Sequence, residues 1–131
     1  MHRAIVLSAL LALAAPLAAQ PVTTPSGLVY EPLVEGDGAS PGPRDRVRVH
    51  YRGTFLDGRE FDSSYARGRP IDFGLDQVIA CWTEGLQRMK VGGRARLTCP
   101  PGIAYGRRGA GRVIPPDATL RFEVELLDVL P

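Results

Sequence analysis

The chain has 131 residues, 44% of them hydrophobic and 23% charged, which is enough for one domain with a modest core and too little for two. That balance excludes a disordered polymer. A formal charge of only +2 gives no argument for nucleic-acid binding.

In chain order, the first element is an export signal. Met1-His2-Arg3 leads into the apolar run Ala4 to Ala15, followed by Pro16-Leu17-Ala18-Ala19. The run is shorter than the roughly 20 residues of a spanning helix. Small residues close it, so residues 1–19 read as a secretory signal peptide cleaved after Ala19, with an uncleaved anchor as the alternative. Cleavage leaves fifteen basic against fourteen acidic residues, a formal charge of +1. The expected location is the periplasm, with no stable membrane association after cleavage. That compartment is oxidising, and a cysteine pair can stay bonded there.

Residues 20–26 read as an N-terminal tail and residues 27–131 as the domain. Gly27 to Val34 reads as an edge strand, because Pro32 lacks a backbone donor. Gly36-Asp37-Gly38 and Pro41-Gly42-Pro43 make a turn-rich loop. In VRVHYRG, Val47, Val49 and Tyr51 alternate with arginines and His50, which predicts a half-buried strand with Tyr51 inward and His50 outward. Asp57-Gly58 suits a type I′ hairpin turn that delivers Phe61 and Asp62. Val78, Cys81, Trp82, Gly85 and Leu86 form the apolar stripe of a helix over residues 77–86. Arg94 to Cys99 alternates with Ala95, Leu97 and Cys99 inward, and Leu120 to Leu126 with Phe122, Val124 and Leu126 inward. The sum is an α+β domain of four to six antiparallel strands, a twisted sheet wrapped around one short helix.

Several chemistries are excluded by residue supply. Without the leader the only histidine is His50, which faces outward, so a Ser-His-Asp triad or a histidine metal site is not expected. The two cysteines are not spaced as C-x-x-C. Gly109-Ala110-Gly111 lacks the Lys-Ser/Thr of a phosphate loop. No metal and no cofactor are expected. What remains is a set of rings and aliphatic groups at strand ends and turns: Tyr51, Phe61, Ile71, Phe73, Trp82, Tyr105, Ile114 and Phe122. With the polar Asp62 and the Tyr105 hydroxyl, they suit an apolar small-ligand pocket.

The segments VRVHYRGTFLDGREFDSS, VIACWTEGLQRMKVGGRARLTCP, AYG and VIPPDATLRFEVELLDV resemble, in order and spacing, the FKBP-type peptidyl-prolyl cis-trans isomerases. The opening SGLVYEPLVEGDG is similar to the bacterial exported members. The resemblance implies catalysis of rotation about Xaa-Pro bonds. Its catalytic positions fall on Asp62, Tyr105, Trp82 and Phe122. Its substrate-binding positions fall on Tyr51, Phe61, Ile71, Val78, Ile79, Val113 and Ile114. Two residues depart from the commonest pattern: Ile71 stands where an aromatic is frequent, and Cys81 replaces a usual glycine. The implied partners are proline-containing polypeptides, with macrolides of the rapamycin type as inhibitors. The dimerisation helices of some exported members are not in the sequence, so a monomer is expected. The alternative function is a proline-binding module or folding chaperone without significant turnover.

Four alternatives concern particular side chains. Asp62 before Ser63-Ser64 also reads as turn or cap chemistry, and Tyr105 beside Gly106 as a turn residue. Cys81 on the inward helix stripe and Cys99 on an inward strand position predict a disulfide, unless they are two small buried hydrophobes that never meet. Arg107, Arg108 and Arg112 read either as a solvated loop or as a preference for acidic substrates.

Overall fold

The computed structural model describes residues 20–131; the expected signal peptide lies outside the described residues. Among these residues seven strands form one antiparallel sheet: β1 (Val22–Thr23), β2 (Val29–Val34), β3 (Arg46–Phe55), β4 (Glu60–Ser63), β5 (Ile71–Gly74), β6 (Arg94–Cys99) and β7 (Leu120–Leu130). Among the described residues two α-helices interrupt them, the single turn α1 (Ser64–Arg67) and α2 (Ala80–Gln87), and a 3-10 turn (Pro101–Ile103) follows β6. Spatial order is β1-β2-β6-β7-β3, and β3 carries β4 and β5 on its outer side. The expected α+β class holds, with more strands than the alternation pattern alone showed.

β3 and β7 form the spine. They pair from Arg46 opposite Leu130 to Phe55 opposite Leu120, with one irregularity between Arg48 and Val49. Val47, Val49 and Tyr51 are buried on β3, and Leu120, Phe122, Val124 and Leu126 on β7. Their partners in the ladder are Ala95, Leu97 and Cys99 of β6, so three consecutive strands present one apolar face. The opposite face carries charges, including Arg96 bridged to Glu31 and Glu123 at 3.1 Å each.

α2 covers the apolar face. Eight residues are too few for a helix to be stable alone in water, so packing holds it: Cys81, Trp82, Gly85 and Leu86 are all buried. The Thr83 hydroxyl donates to the Leu75 carbonyl at 2.6 Å, tying the helix to the loop that precedes it. Cys81 and Cys99 are disulfide-bonded, which fastens the first turn of α2 to the end of β6.

Three local expectations change. Residues read as a tail include β1, which pairs with Val29 and Tyr30, so β2 is covered at one end instead of forming a free edge. Pro32 sits where the β2–β6 register shifts, a place that tolerates a missing donor. The hairpin after β3 is not a type I′ turn, since of Asp57 and Gly58 only Gly58 has positive φ (93°). Gly58 N–H donates to Phe55 O (3.0 Å) and Phe55 N–H to Arg59 O (2.9 Å), which makes a three-residue loop with its bulge at glycine.

Candidate active site

The site lies where α2 and the sheet part. A cavity of about 400 Å3 opens there. Its floor and walls are rings from five elements: Tyr51 on β3, Phe61 on β4, Phe73 on β5, Trp82 on α2 and Phe122 on β7. Val78, Ile79, Gln77 and Tyr105 form the rim, and Asp62 is the one carboxylate among the lining residues.

Trp82 is the hub of the ring cluster. Tyr51, Phe73 and Phe122 meet it edge-on at centroid distances of 5.1, 5.4 and 5.5 Å. Phe61 meets Phe122 edge-on at 5.7 Å. Such edge-to-face contacts each add about 0.5–1.5 kcal/mol beyond area burial, so the cluster is a rigid wall and not a loose one.

The strand irregularities decide which side chains reach the cavity. In a regular strand Phe61 and Asp62 would point to opposite faces. On β4, however, Asp62 pairs with Gly53 and Glu60 with Thr54, leaving Phe61 as an extra residue. This bulge lets both neighbours line the same cavity. Gly53 makes room for it: a Cβ there would lie 2.6 Å from Phe61 Cζ.

A second gap fixes Tyr51. β5 pairs with β3 only as far as Val49, and β4 begins to pair at Arg52, so the ladder has no strand partner for Tyr51 on that side. The buried Ser64 hydroxyl replaces it, accepting the Tyr51 backbone N–H at 2.7 Å and lying 2.8 Å from His50 Nδ1. α1 is started by Ser63, whose hydroxyl accepts the Ala66 N–H at 3.1 Å. One turn later it delivers Arg67, whose guanidinium donates to Asp62 Oδ1 (2.5 Å) and to the Tyr51 hydroxyl oxygen (3.3 Å).

Asp62 also accepts the Tyr51 hydroxyl proton. Burial pushes the Asp62 carboxyl up, but the hydrogen bonds from Tyr51 and Arg67 outweigh burial and hold it below the ordinary carboxylate value. Burial, with the Asp62 bond behind it, raises the Tyr51 hydroxyl above its usual range. At neutral pH the cluster is therefore a carboxylate, a neutral phenol and a guanidinium, which are mutually satisfied. Ser63 takes the capping role, so Asp62 is not the cap, although its Oδ1 also accepts the Ser63 N–H at 2.9 Å.

Two donors face the rim without a partner. Ile79 is the N-cap of α2, and its N–H makes no hydrogen bond among the described residues. Tyr105, at the end of the turn that follows β6, is 40% exposed, and its hydroxyl likewise has no partner among the described residues.

Of the eleven expected positions, eight line the cavity: Tyr51, Phe61, Asp62, Val78, Ile79, Trp82, Tyr105 and Phe122. Ile71, Val113 and Ile114 do not. Ile71 shares a face of β5 with Phe73, but the Phe73 ring spans to Trp82 and Tyr51 while the shorter Ile71 borders a separate recess with Arg48, Arg67 and Arg69. Val113 and Ile114 line a different groove, because the Ala110–Ile114 bridge folds their loop over Phe55. Phe73 was expected among the pocket rings, though not among the positions that the family resemblance implies, and it lines the cavity. Gln77 and Arg67 were not among the expected site residues. Nothing local marks Arg67, which meets Asp62 only through the α1 turn.

Residues 38–127 match the sequence profile described as FKBP-type peptidyl-prolyl cis-trans isomerase. The chain belongs to this family. The domain is 52% identical over 109 residues to FkpA of Escherichia coli K12, covering 83% of this chain and 40% of that protein. It is 53% identical over 108 residues to the FKBP-type 22 kDa isomerase of the same strain, covering 82% of this chain and 52% of the relative. The chain thus spans about half or less of the length of these relatives. The crystal structure of FkpA from Escherichia coli superposes with a TM-score of 0.82 at 51% identity, covering 85% of this chain and 52% of that one. AtFKBP13 superposes with a TM-score of 0.78 at 34% identity, covering 86% of this chain and all of that one.

Proposed function

We propose that this FKBP-type domain accelerates cis-trans rotation about Xaa-Pro bonds of exported polypeptides. The observation that carries the reading is the rigid ring-lined cavity of about 400 Å3, a size suited to a prolyl ring and its flanking amide, with unpartnered donors at its rim.

Resonance across the peptide C–N bond sets the barrier to rotation at about 18–20 kcal/mol. A twisted amide loses that resonance and its charge separation, so a site that strips water from the amide favours the twisted form over the planar one. Only this difference counts as catalysis. A thousandfold gain needs about 4 kcal/mol of it.

In the proposed complex the prolyl ring packs on Trp82 between Tyr51, Phe61, Phe73 and Phe122. The Ile79 N–H and the Tyr105 hydroxyl hold substrate carbonyl oxygens outside the rotating bond, so binding energy from the flanks fixes the amide while it turns. Asp62 acts by orienting Tyr51: with the phenol proton committed to the carboxylate, Tyr51 presents its ring to the cavity and keeps that wall dry. No proton or electron changes hands.

The same reading places the mature domain in the periplasm as a monomer, with rapamycin-type macrolides competing for the cavity. Among the described residues no helix is long and apolar enough to cross a membrane. Exchange of a Xaa-Pro peptide, followed by NMR with parent, Asp62→Ala and Tyr105→Phe proteins, tests the proposal. Slower exchange in both variants supports the assigned roles, whereas parent-like rates remove them. Peptide binding without faster exchange in the parent would leave a proline-binding module.

A further inference from the structure

Next to the proline cavity lies a second groove of about 470 Å3, with an apolar floor and a basic rim. Phe55, Val113 and Ile114 supply the floor; Arg59, Arg108 and Arg112 stand around it. We propose that this groove is a specificity subsite that selects an acidic residue near the target proline in the substrate polypeptide. The inference rests on the isomerase reading above, in which the neighbouring cavity holds the prolyl ring.

One aromatic contact joins the groove to the cavity. Phe61, which lines the cavity, packs on Phe55 at a centroid distance of 5.0 Å, and within the groove the Arg59 guanidinium lies 4.9 Å from the Phe55 ring centroid. An extended peptide advances about 3.3 Å per residue, so a side chain two to four positions from the proline lies about 7–13 Å along the chain, enough to pass the Phe61–Phe55 contact.

The charge of the groove is unbalanced. Arg59 is neutralised by Asp57 at 2.8 Å. Arg107, Arg108 and Arg112 are exposed and form no ion pair within 4 Å among the described residues, and the undescribed residues 1–19 contain no acid.

The loop that carries these arginines is held in shape. Ala110 and Ile114 exchange backbone hydrogen bonds of 2.9 and 3.1 Å, and the Gly109 N–H donates to Tyr105 O at 3.1 Å. Arg108 and Arg112 therefore flank a fixed turn beside Tyr105, itself a cavity residue. A carboxylate entering between them replaces water around weakly hydrated guanidinium groups and finds forked donors of matching geometry.

The test uses a peptide series identical except for Glu, Gln or Lys three positions from the proline, on either side. For the parent, kcat/KM is expected to favour Glu over Gln by about three- to tenfold at low salt, the size expected of one or two partly exposed ion pairs, with Lys poorest. The ratio should shrink at about 0.5 M salt, where the screening length falls to a few ångströms. In Arg108→Gln/Arg112→Gln it should approach one, and Arg108→Lys/Arg112→Lys should restore part of it. The same ratio is read as Kd from Trp82 fluorescence. Failure of every peptide to isomerise faster would overturn the isomerase reading, while Kd would still decide the subsite. Equal Kd for Glu and Gln peptides in the parent, or a preference that survives in the double Gln variant, overturns this inference.

Discussion

Reduction of the Cys81–Cys99 bond should destabilise the domain by an amount that can be worked out from its topology. The two cysteines are 18 residues apart and join the first turn of α2 to the end of β6. Closing a loop of that length in the unfolded chain removes entropy worth about 3 kcal/mol in the chain-entropy model. For a domain of this size each kcal/mol moves the melting temperature by about 4 °C, so full reduction should lower it by about 12 °C. Reduction is a cleaner perturbation than alanine substitution, which would also leave a void where both sulfurs are fully buried. The assay is thermal unfolding followed by circular dichroism and by Trp82 fluorescence, with and without a phosphine reductant. Because Trp82 adjoins Cys81, the ring cluster should loosen before the strands do when the bond is open. A shift under about 3 °C, or two reactive thiols in unfolded and unreduced protein, would refute the reasoning.

Four further outcomes are expected. Phe73→Ala should lower kcat/KM by at least about tenfold and Ile71→Ala by less than about threefold, since only Phe73 walls the cavity; comparable losses would contradict the assignment. Gly53→Ala should displace the Phe61 ring, because its Cβ would overlap Phe61 Cζ, and NMR shifts of the ring cluster report the movement. Asp62 is held below its ordinary carboxyl value, so its contribution to stability is present above that value and lost as pH falls through the depressed one. Urea midpoints across the acid range should therefore fall less steeply in Asp62→Asn than in the parent. Burial and the hydrogen bond to Glu125 push the Tyr65 hydroxyl up to about 12, so ultraviolet titration should show a late-ionising phenol that Tyr65→Phe removes.

Most of the sheet was legible because one face is buried and the side-chain period is two: residues 46–52 of β3, all of β6 and residues 120–126 of β7 follow their alternation. The stripe of α2 was legible for the same reason at its own period, although Val78 and Ile79 precede the helix and serve the rim instead. The turn at Asp57-Gly58 was misassigned because that dipeptide fits both a two-residue turn and a three-residue loop with a bulge, and strand register chooses between them. β5 is four residues long with one polar side chain, too short for its pattern to stand out. In the site, the family motifs located the rings, but the shared orientation of Phe61 and Asp62 depends on a bulge that has no sequence signature. The link from Arg67 to Asp62 and Tyr51 arises only when α1 closes its single turn.

The central claim is that a dry, ring-walled cavity loosens a prolyl amide. Exchange spectroscopy on a Xaa-Pro peptide, comparing the free cis-trans rate with the rate in the presence of catalytic amounts of the domain, tests it most directly. The expected result is exchange accelerated in proportion to protein concentration and suppressed by Trp82→Ala, with the fold otherwise retained. Exchange no faster than in buffer, with the peptide shown to bind, would contradict it.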